Sequence, residues 1–376
     1  MKKSAILKGQ LVVSIEQAVA APYCSSKLVE AGARVIKVER KEGDFARYYD
    51  TFVKGQSTYF VWLNRGKESL IANLKKKEDI NLLIRILKKA DIFIQNLLPG
   101  TFKKIGLDSS SLKKINKKLI TCDISGFGEK GPYSKLKAYD LLIQAETGLC
   151  SLTGSEKYAG RVGVSVCDIA CGMNAYSLIL EAILEREITG LGKNIKISLF
   201  DSLSEWMNVP YLQYTYTKKS PKRVGLSHPS IVPYGCFKTK DGKQILFSIQ
   251  NEREWKSFSK ETIKLSNKAI EKFKTPTLRL KHKEEINTII QKSFNHKLSN
   301  EIIKNFKSTK IAFGMLNNIK EFSKHPHLKK ATCKSESGNI TFIPRVGSNM
   351  KDYTYKIPSL GEHSEMIRTE FSENEK

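Results

Sequence analysis

Gln10-Leu11-Val12-Val13-Ser14 and Arg34-Val35-Ile36-Lys37-Val38-Glu39 are two short runs rich in aliphatic and β-branched residues, and residues 19–31 between them read as a helix. A strand, a crossover helix and a second strand make the opening unit of a parallel α/β sheet. The pattern then recurs. Ser69-Leu70-Ile71-Ala72-Asn73-Leu74 reads as a strand, residues 80–89 as a helix, Asp91-Ile92-Phe93-Ile94-Gln95-Asn96 as a strand, and residues 119–125 as the next strand. Ligands of such sheets bind beyond the carboxyl ends of the strands. That rule singles out residues 37–40, Asn96 and Ser125-Gly126.

Further along, residues 166–187 form a long amphipathic helical pattern that stops at Thr189-Gly190-Leu191-Gly192, where glycine suits a C-terminal cap. Lys196-Ile197-Ser198-Leu199-Phe200 reads as a strand leading into a helix over 201–209. Residues 215–223, basic and turn-forming, read as a linker. Residues 234–249 predict a hairpin with its turn at Lys240-Asp241-Gly242, and Lys-rich helices follow to about Phe306. The expected organisation is a large domain over 1–214, a smaller α+β domain over 215–325, and a C-terminal segment, 326–376, returning to the first.

Composition agrees with a soluble globular chain: 376 residues, 40% hydrophobic and 27% charged, which excludes disorder, collagen and coiled coil. No stretch approaches the roughly 18 uninterrupted apolar residues of a membrane helix, and Met1-Lys2-Lys3-Ser4 is not followed by a signal-peptide core, so a cytoplasmic protein is expected. The formal net charge of +26 raises nucleic-acid binding as a hypothesis. The lysines, however, are dispersed (Lys75-Lys76-Lys77, Lys88-Lys89, Lys113-Lys114, Lys117-Lys118, Lys218-Lys219) rather than gathered on one arm or helix. Dispersal favours a solvated basic surface with an anionic small-molecule site, and no nucleic-acid or membrane partner. Seven cysteines without a secretory signal read as reduced thiols. Cys167 and Cys171 stand four apart with no Cys or His nearby to complete a metal site, so they read as small core residues and no metal is expected. All six histidines lie at or beyond His228, so any chemistry of the first 227 residues proceeds without imidazole.

The familiar phosphate and nucleophile fingerprints are missing: no G-x-G-x-x-G, no G-x-x-x-x-G-K-[ST], no G-x-S-x-G. Single basic residues at loop positions, Arg40, Lys75, Lys104 and Lys137, are the candidates for holding an anionic ligand. The most informative segment is Gly163-Val164-Ser165-Val166-Cys167-Asp168-Ile169-Ala170-Cys171-Gly172-Met173. An Asp opening a small-residue helix suits the helix dipole and the free N–H groups. The same carboxylate, with small neighbours admitting a substrate, also suits nucleophilic attack on an acyl group.

Nine runs, in order, resemble the class III CoA transferases, the CaiB/BaiF family of formyl-CoA transferase and carnitine CoA transferase. Among them are Gly32-Ala33-Arg34-Val35-Ile36-Lys37-Val38-Glu39-Arg40, Gly43-Asp44, Asn64-Arg65-Gly66-Lys67, Asn96-Leu97-Leu98-Pro99-Gly100, Ser125-Gly126-Phe127-Gly128, Tyr139-Asp140 and Asp168-Ile169-Ala170-Cys171-Gly172, with Pro358-Ser359-Leu360-Gly361-Glu362-His363 near the C-terminus. The resemblance implies a Rossmann-like large domain completed by the C-terminal tail, a smaller domain, and an intertwined homodimer. It implies that the nucleophile is Asp168, forming a mixed anhydride and then an aspartyl-CoA thioester, with coenzyme A entering as substrate and no resident cofactor. Carried over position by position, the CoA contacts fall on Val19 and Ala20, Arg40, Ala72 to Lys75, Asn96, Leu97 and Leu98, Lys104, and Lys137 to Asp140.

Two departures from the family pattern bear on the reaction. The glycine-rich lid of formyl-CoA transferase has no counterpart at Ser248-Ile249-Gln250-Asn251-Glu252, which argues against oxalate as acceptor. The related acyl-CoA racemases carry a His before the Asp at position 140, whereas Tyr139 stands here, so the racemase or epimerase alternative loses its base. Transfer needs no such base, since a carboxylate is expected to be ionised at pH 7, and Tyr139 is expected to position the substrate. The string from Gly43 to Arg47 with residues 59–65 resembles branch members acting on dicarboxylates such as succinate, itaconate, citramalate or mesaconate. A second substrate carboxylate calls for a cation, and Arg47, Arg65 and Arg223 are the candidates.

Overall fold

The computed structural model describes residues 5–346 and 355–373. The expectations for residues 1–4, and for 347–354 and 374–376 of the C-terminal segment, lie outside them. Six strands form the main sheet: β1 Leu11–Ile15, β2 Arg34–Glu39, β3 Glu68–Ile71, β4 Ile92–Gln95, β5 Ile120–Ser125 and β6 Asn194–Ser198. Their order is β3-β2-β1-β4-β5-β6 and every pairing is parallel. The chain winds one way from β1 to β3 and the other way from β4 to β6, so the strand order reverses between β1 and β4. A crevice therefore opens beyond the carboxyl ends of those two strands.

Alternation along each strand sorts side chains between two covered faces. Val12 joins the cluster of Cys24, Leu28, Cys171 and Ala175 under helix α1 (Ala20–Glu30) and the Val166–Thr189 helix. Val13 joins Leu82, Leu83 and Ile86 of the Lys77–Lys89 helix. All four residues of β4 are buried, as a strand covered on both sides requires.

Two expected strands end early, each for a local reason. The run from Ser69 stops at Ile71 because the Asp79 carboxylate accepts from the Asn73 N–H (2.7 Å) and turns the chain into the Lys77–Lys89 helix. β6 stops at Ser198, whose hydroxyl accepts from the Asp201 N–H (3.0 Å), so Leu199 and Phe200 open a helix instead of prolonging the strand.

The Val166–Thr189 helix is, contrary to the sequence expectation, long and apolar enough by composition to cross a membrane. Here one side of it, with Cys171, Ala175, Ile179 and Ala182, is buried in the first face of the sheet, while Met173, Leu184 and Ile188 are exposed. Small residues let α1 pack closely on it. A Cβ at Gly172 would lie 2.6 Å from the Ala20 carbonyl oxygen, so only glycine permits the first turn of α1 to sit beside this helix.

β3 is an edge of the sheet, and the returning tail covers it. The Ser69 N–H donates to His363 Nδ1 (3.2 Å) and the Ile71 N–H to Ser364 Oγ (3.0 Å), satisfying donors that an edge would otherwise leave open. Arg34 bridges Glu68 and Glu370, and Ile367 and Phe371 pack into the second face. The chain divides into two compact units. The first comprises residues to Leu149, Arg161–Lys218 and the segment from Lys329. The second comprises Cys150–Gly160 and Lys219–Leu328, so residues 150–160, expected in the large domain, group with the smaller one. That second unit holds an antiparallel sheet of Tyr234–Lys238, Gln244–Ser248 and Ala312–Met315, with a core built on Phe237, Phe247, Phe258, Phe294 and Phe306.

Candidate active site

A cavity of about 700 Å³ lies at the reversal of strand order, walled by residues 17–20 after β1, 96–99 after β4, Ile124 to Gly126 at the end of β5, and by Asp140 and Asp168. Asn96 ties the first two walls together. Its Oδ1 accepts from the Gln17 N–H and its Nδ2 donates to the Gln17 carbonyl, both at 2.9 Å. Ala18 adopts a left-handed backbone (φ 63°), a conformation disfavoured for alanine. The Asp44 carboxylate holds it there by accepting the Ala18 N–H at 3.1 Å and the Ala46 N–H at 2.9 Å. The same contacts set the Phe45–Tyr48 turn, which contributes Phe45, with Tyr49 next to it, to the cavity wall.

Asp168 is the third residue of its helix but does not cap it. Ser165 precedes the helix and makes no side-chain capping bond. The free N–H of Cys167 is taken instead by Asp140, 27 positions earlier, whose Oδ1 accepts it at 2.8 Å while Oδ2 accepts from Gln144 Nε2 at 2.7 Å. Each Asp140 oxygen thus accepts one hydrogen bond. The Asp168 carboxylate has no hydrogen-bond partner among the described residues. Burial, and secondarily the charge of Asp140, push its pKa up to about 7. This corrects the expectation of a fully ionised carboxylate at pH 7. The helix dipole favours the charged form, but burial outweighs it.

The sequence-selected residues fall into three sets. Val19, Ala20, Asn96, Leu97, Leu98, Lys137, Tyr139, Asp140 and Asp168 line the one cavity. Arg40, Ala72 and Lys75 line a neighbouring cavity of about 670 Å³ that shares Gln17 and Leu97 with it. Lys104, at the end of the Thr101–Lys104 turn, lines neither. Tyr139 precedes the Asp140–Glu146 helix with its side chain largely exposed. Cys167 and Cys171 are buried free thiols, and no metal-binding cluster occurs among the described residues.

The three arginines considered for a second carboxylate are all committed elsewhere. Arg47 makes a two-pronged pair with Glu39 (3.0 and 2.7 Å) and stacks on Phe60. Arg65 donates to the Val61 and Trp62 carbonyls and stacks on Phe342. Arg223 donates to the carbonyls of Ser151, Ser155 and Glu156. Sequence reasoning instead missed Gln17, Tyr49, Tyr59 and Arg161, all on the cavity wall. Burial, followed by the nearby Asp44 and Asp168 charges, pushes the Tyr49 phenol up to about 12, so it stays a hydrogen-bond donor at neutrality. Tyr59 opens the 59–65 stretch already noted, and Arg161 stands two residues before the Gly163 segment. Nothing in composition distinguished either.

The CoA-transferase family III model matches residues 7–364. The human succinyl-CoA:glutarate CoA-transferase is 30% identical over 377 residues, covering 97% of this chain and 85% of that protein. The succinate–glutarate CoA-transferase of Agrobacterium fabrum is 30% identical over 384 residues, covering 97% and 95%. A crystal structure of a CaiB/BaiF family protein from Brucella suis superposes with a TM-score of 0.85 at 29% identity, covering 97% of this chain and 99% of that one.

Proposed function

The chain belongs to CoA-transferase family III and is a CoA-transferase, and on that premise we propose that it moves coenzyme A from an acyl-CoA to a dicarboxylate through a covalent thioester on Asp168. The observation that carries the reading is an Asp168 carboxyl without a hydrogen bond from any described residue, on the wall of the cavity where the strand order reverses. Glutarate in the names of two relatives similar over nearly their whole length supports the dicarboxylate class.

The Asp168 carboxylate attacks the thioester carbonyl, expelling CoA thiolate and leaving an acyl–aspartyl anhydride. The thiolate then attacks the aspartyl carbonyl, releasing the donor acid as its carboxylate. An acceptor carboxylate attacks the aspartyl thioester, and the thiolate returns to the acceptor carbonyl, which frees Asp168. No net proton is consumed, so the cycle calls for no general base, and CoA enters as a substrate. A carboxylate with a pKa near 7 is a stronger nucleophile than one near 4, at the cost of being half protonated at neutrality. Tyr139 orients the thioester or the acid by hydrogen bonding. The basic residues of the neighbouring cavity, Arg40 and Lys75, with Lys137, hold the CoA phosphates.

The working form is a cytoplasmic homodimer whose partners are acyl-CoA and acid, not nucleic acid or membrane. Trp206, Val209, Tyr211, Tyr214 and Tyr216, all exposed, supply an apolar surface suited to a second copy, and seven unpaired cysteines suit a reducing compartment. The test is transfer from succinyl-CoA to glutarate, read by mass, with a search for a CoA adduct on the Asp168 peptide. CoA transfer with the adduct supports the proposal. Acceptor-independent α-deuteration of a chiral acyl-CoA in D2O, without transfer, overturns it in favour of the racemase alternative.

A further inference from the structure

The walls of the Asp168 cavity carry four charged side chains: Asp140, Asp168, Lys137 and Arg161. Each Asp140 oxygen accepts a hydrogen bond, from Cys167 and from Gln144, and Asp168 is the proposed reacting group. That leaves two cations to meet whatever negative charge enters. Neither forms an ion pair or hydrogen bond with another described residue, in contrast to Arg47, Arg65 and Arg223. Arg161 is exposed on the same cavity wall as the partly buried Asp168, and with no partner among the described residues it is available to a ligand.

The backbone next to Arg161 is fixed. The buried Gln144 accepts the Val162 N–H on its Oε1 (2.9 Å) and through its Nε2 binds both Asp140 Oδ2 (2.7 Å) and the Val162 carbonyl (3.4 Å). One side chain therefore couples the Arg161 segment to Asp140, which itself holds the first turn of the Asp168 helix through Cys167. Arg161 and Asp168 stand on one hydrogen-bonded frame, which fixes their backbones relative to each other. The wall also includes Phe45, Tyr49 and Tyr59, with Tyr49 and Tyr59 edge to face at 5.3 Å between ring centres, an apolar surface suited to the methylenes of a short acid chain.

We propose that Arg161 receives the remote carboxylate of the dicarboxylate whose other carboxyl reacts at Asp168, making this cavity selective for acids that carry a second negative charge. The inference rests on the CoA-transferase reading above and deepens it. A guanidinium offers a planar fork of N–H donors matching both oxygens of a carboxylate, whereas the Lys137 ammonium is a hydrated point charge better suited to phosphate.

The experiment compares glutarate with valerate, which has the same chain length but a methyl group in place of the second carboxylate, as acceptors for wild type, Arg161→Gln, Arg161→Lys and Lys137→Gln, with succinyl-CoA as donor. Wild type is expected to favour glutarate. Arg161→Gln should reduce the glutarate-to-valerate ratio of kcat/KM by at least about thirtyfold, Arg161→Lys should restore part of it, and Lys137→Gln should leave the ratio within about twofold. A wild type selective for glutarate with unchanged selectivity in Arg161→Gln overturns the Arg161 assignment alone. A wild type that uses both acids equally overturns the dicarboxylate class, and one that transfers CoA to neither acid overturns the transferase reading. Because the Arg161 side chain has no partner among the described residues, a circular-dichroism melt of Arg161→Gln should match wild type, which separates lost selectivity from lost fold.

Discussion

Two groups of charges sit at the carboxyl end of the sheet, with the Gln17–Ala18 backbone between them, and they are built on opposite principles. Behind the β1 loop, Glu16, Lys37, Asp44 and Lys67 have fully buried side chains, two of each sign. Lys37 binds Asp44 (2.8 Å), Lys67 binds Glu16 (2.6 Å) and Asn64 (3.0 Å), and Ser25 donates to the second Glu16 oxygen (2.7 Å). Burial would raise the Glu16 carboxyl, yet Lys67, Lys37 and these hydrogen bonds hold it near 2, while burial brings Lys67 down to about 8 against the pull of Glu16. In the cavity, Asp168 has no such partners among the described residues, and its pKa moves the other way. Charges that answer one another fix the Gln17–Ala18 backbone. Asp168, without such partners among the described residues, lies on the wall of the cavity proposed to take the substrate.

The sharpest way to break this comparison is to remove one member from each group. Asp168→Ala should lower CoA transfer about ten-thousandfold, about 5.5 kcal/mol of barrier, while acyl-CoA binding, followed by calorimetry, survives. Transfer within about tenfold of wild type would end the nucleophile assignment. Lys37→Met should do the reverse and act on the fold. It strands the buried Asp44 without its counter-charge and leaves Glu16 with Lys67 alone, a change costing about 3–5 kcal/mol, read as a lower urea midpoint. A Lys37→Met protein as stable as wild type would mean that the buried group is not what holds the β1 loop.

Stability against pH sharpens the contrast further. Asp168 titrates near 4 in the unfolded chain and near 7 in the folded one. Below pH 4 it is protonated in both states and has no effect. Between 4 and 7 the unfolded chain releases a proton that the native state retains, so the native state loses stability as pH rises, and the full penalty is present above 7. Asp168→Asn removes that penalty. It should raise stability at pH 8 by up to about 4 kcal/mol, since each tenfold change in acidity between the two states is worth about 1.4 kcal/mol, and change little at pH 4. In the active enzyme the same ionisation should make kcat/KM climb through about pH 7. Glu16 behaves oppositely: with its folded pKa depressed, it stabilises the native state above about pH 4 and loses that contribution as pH falls toward 2.

The alternating strand and helix runs, the returning tail and the position of Asp168 were all legible in the sequence, because each depends on local pattern or on a recognisable motif. What depends on partners far along the chain was not. Arg47 and Arg161 look alike as letters, yet Glu39 occupies one and no described residue occupies the other. The ionisation of Asp168 depends on burial and on Asp140, and Asp140 came within reach only because it caps a helix 27 residues on. Strand ends shifted for the same kind of reason: Asp79 and the Ser198 hydroxyl redirect the chain where the apolar pattern alone continues.

The smallest expected effect tests whether the cavity, rather than charge alone, decides which lysines matter. Lys137 and Lys104 are both exposed lysines selected on the same grounds, but Lys137 lines the Asp168 cavity and Lys104 lines neither that cavity nor its neighbour. An exposed charge contact is worth about 1 kcal/mol at most. Lys137→Ala should therefore raise the KM for acyl-CoA about fivefold in dilute buffer, and the difference should shrink as salt screens the phosphates. Lys104→Ala should leave KM unchanged at every ionic strength. Because the chain carries a net charge of +26, a general attraction for anionic CoA would instead make the two substitutions equivalent, each removing one charge among many. Equal effects with equal salt dependence would show that position in the cavity confers nothing on Lys137.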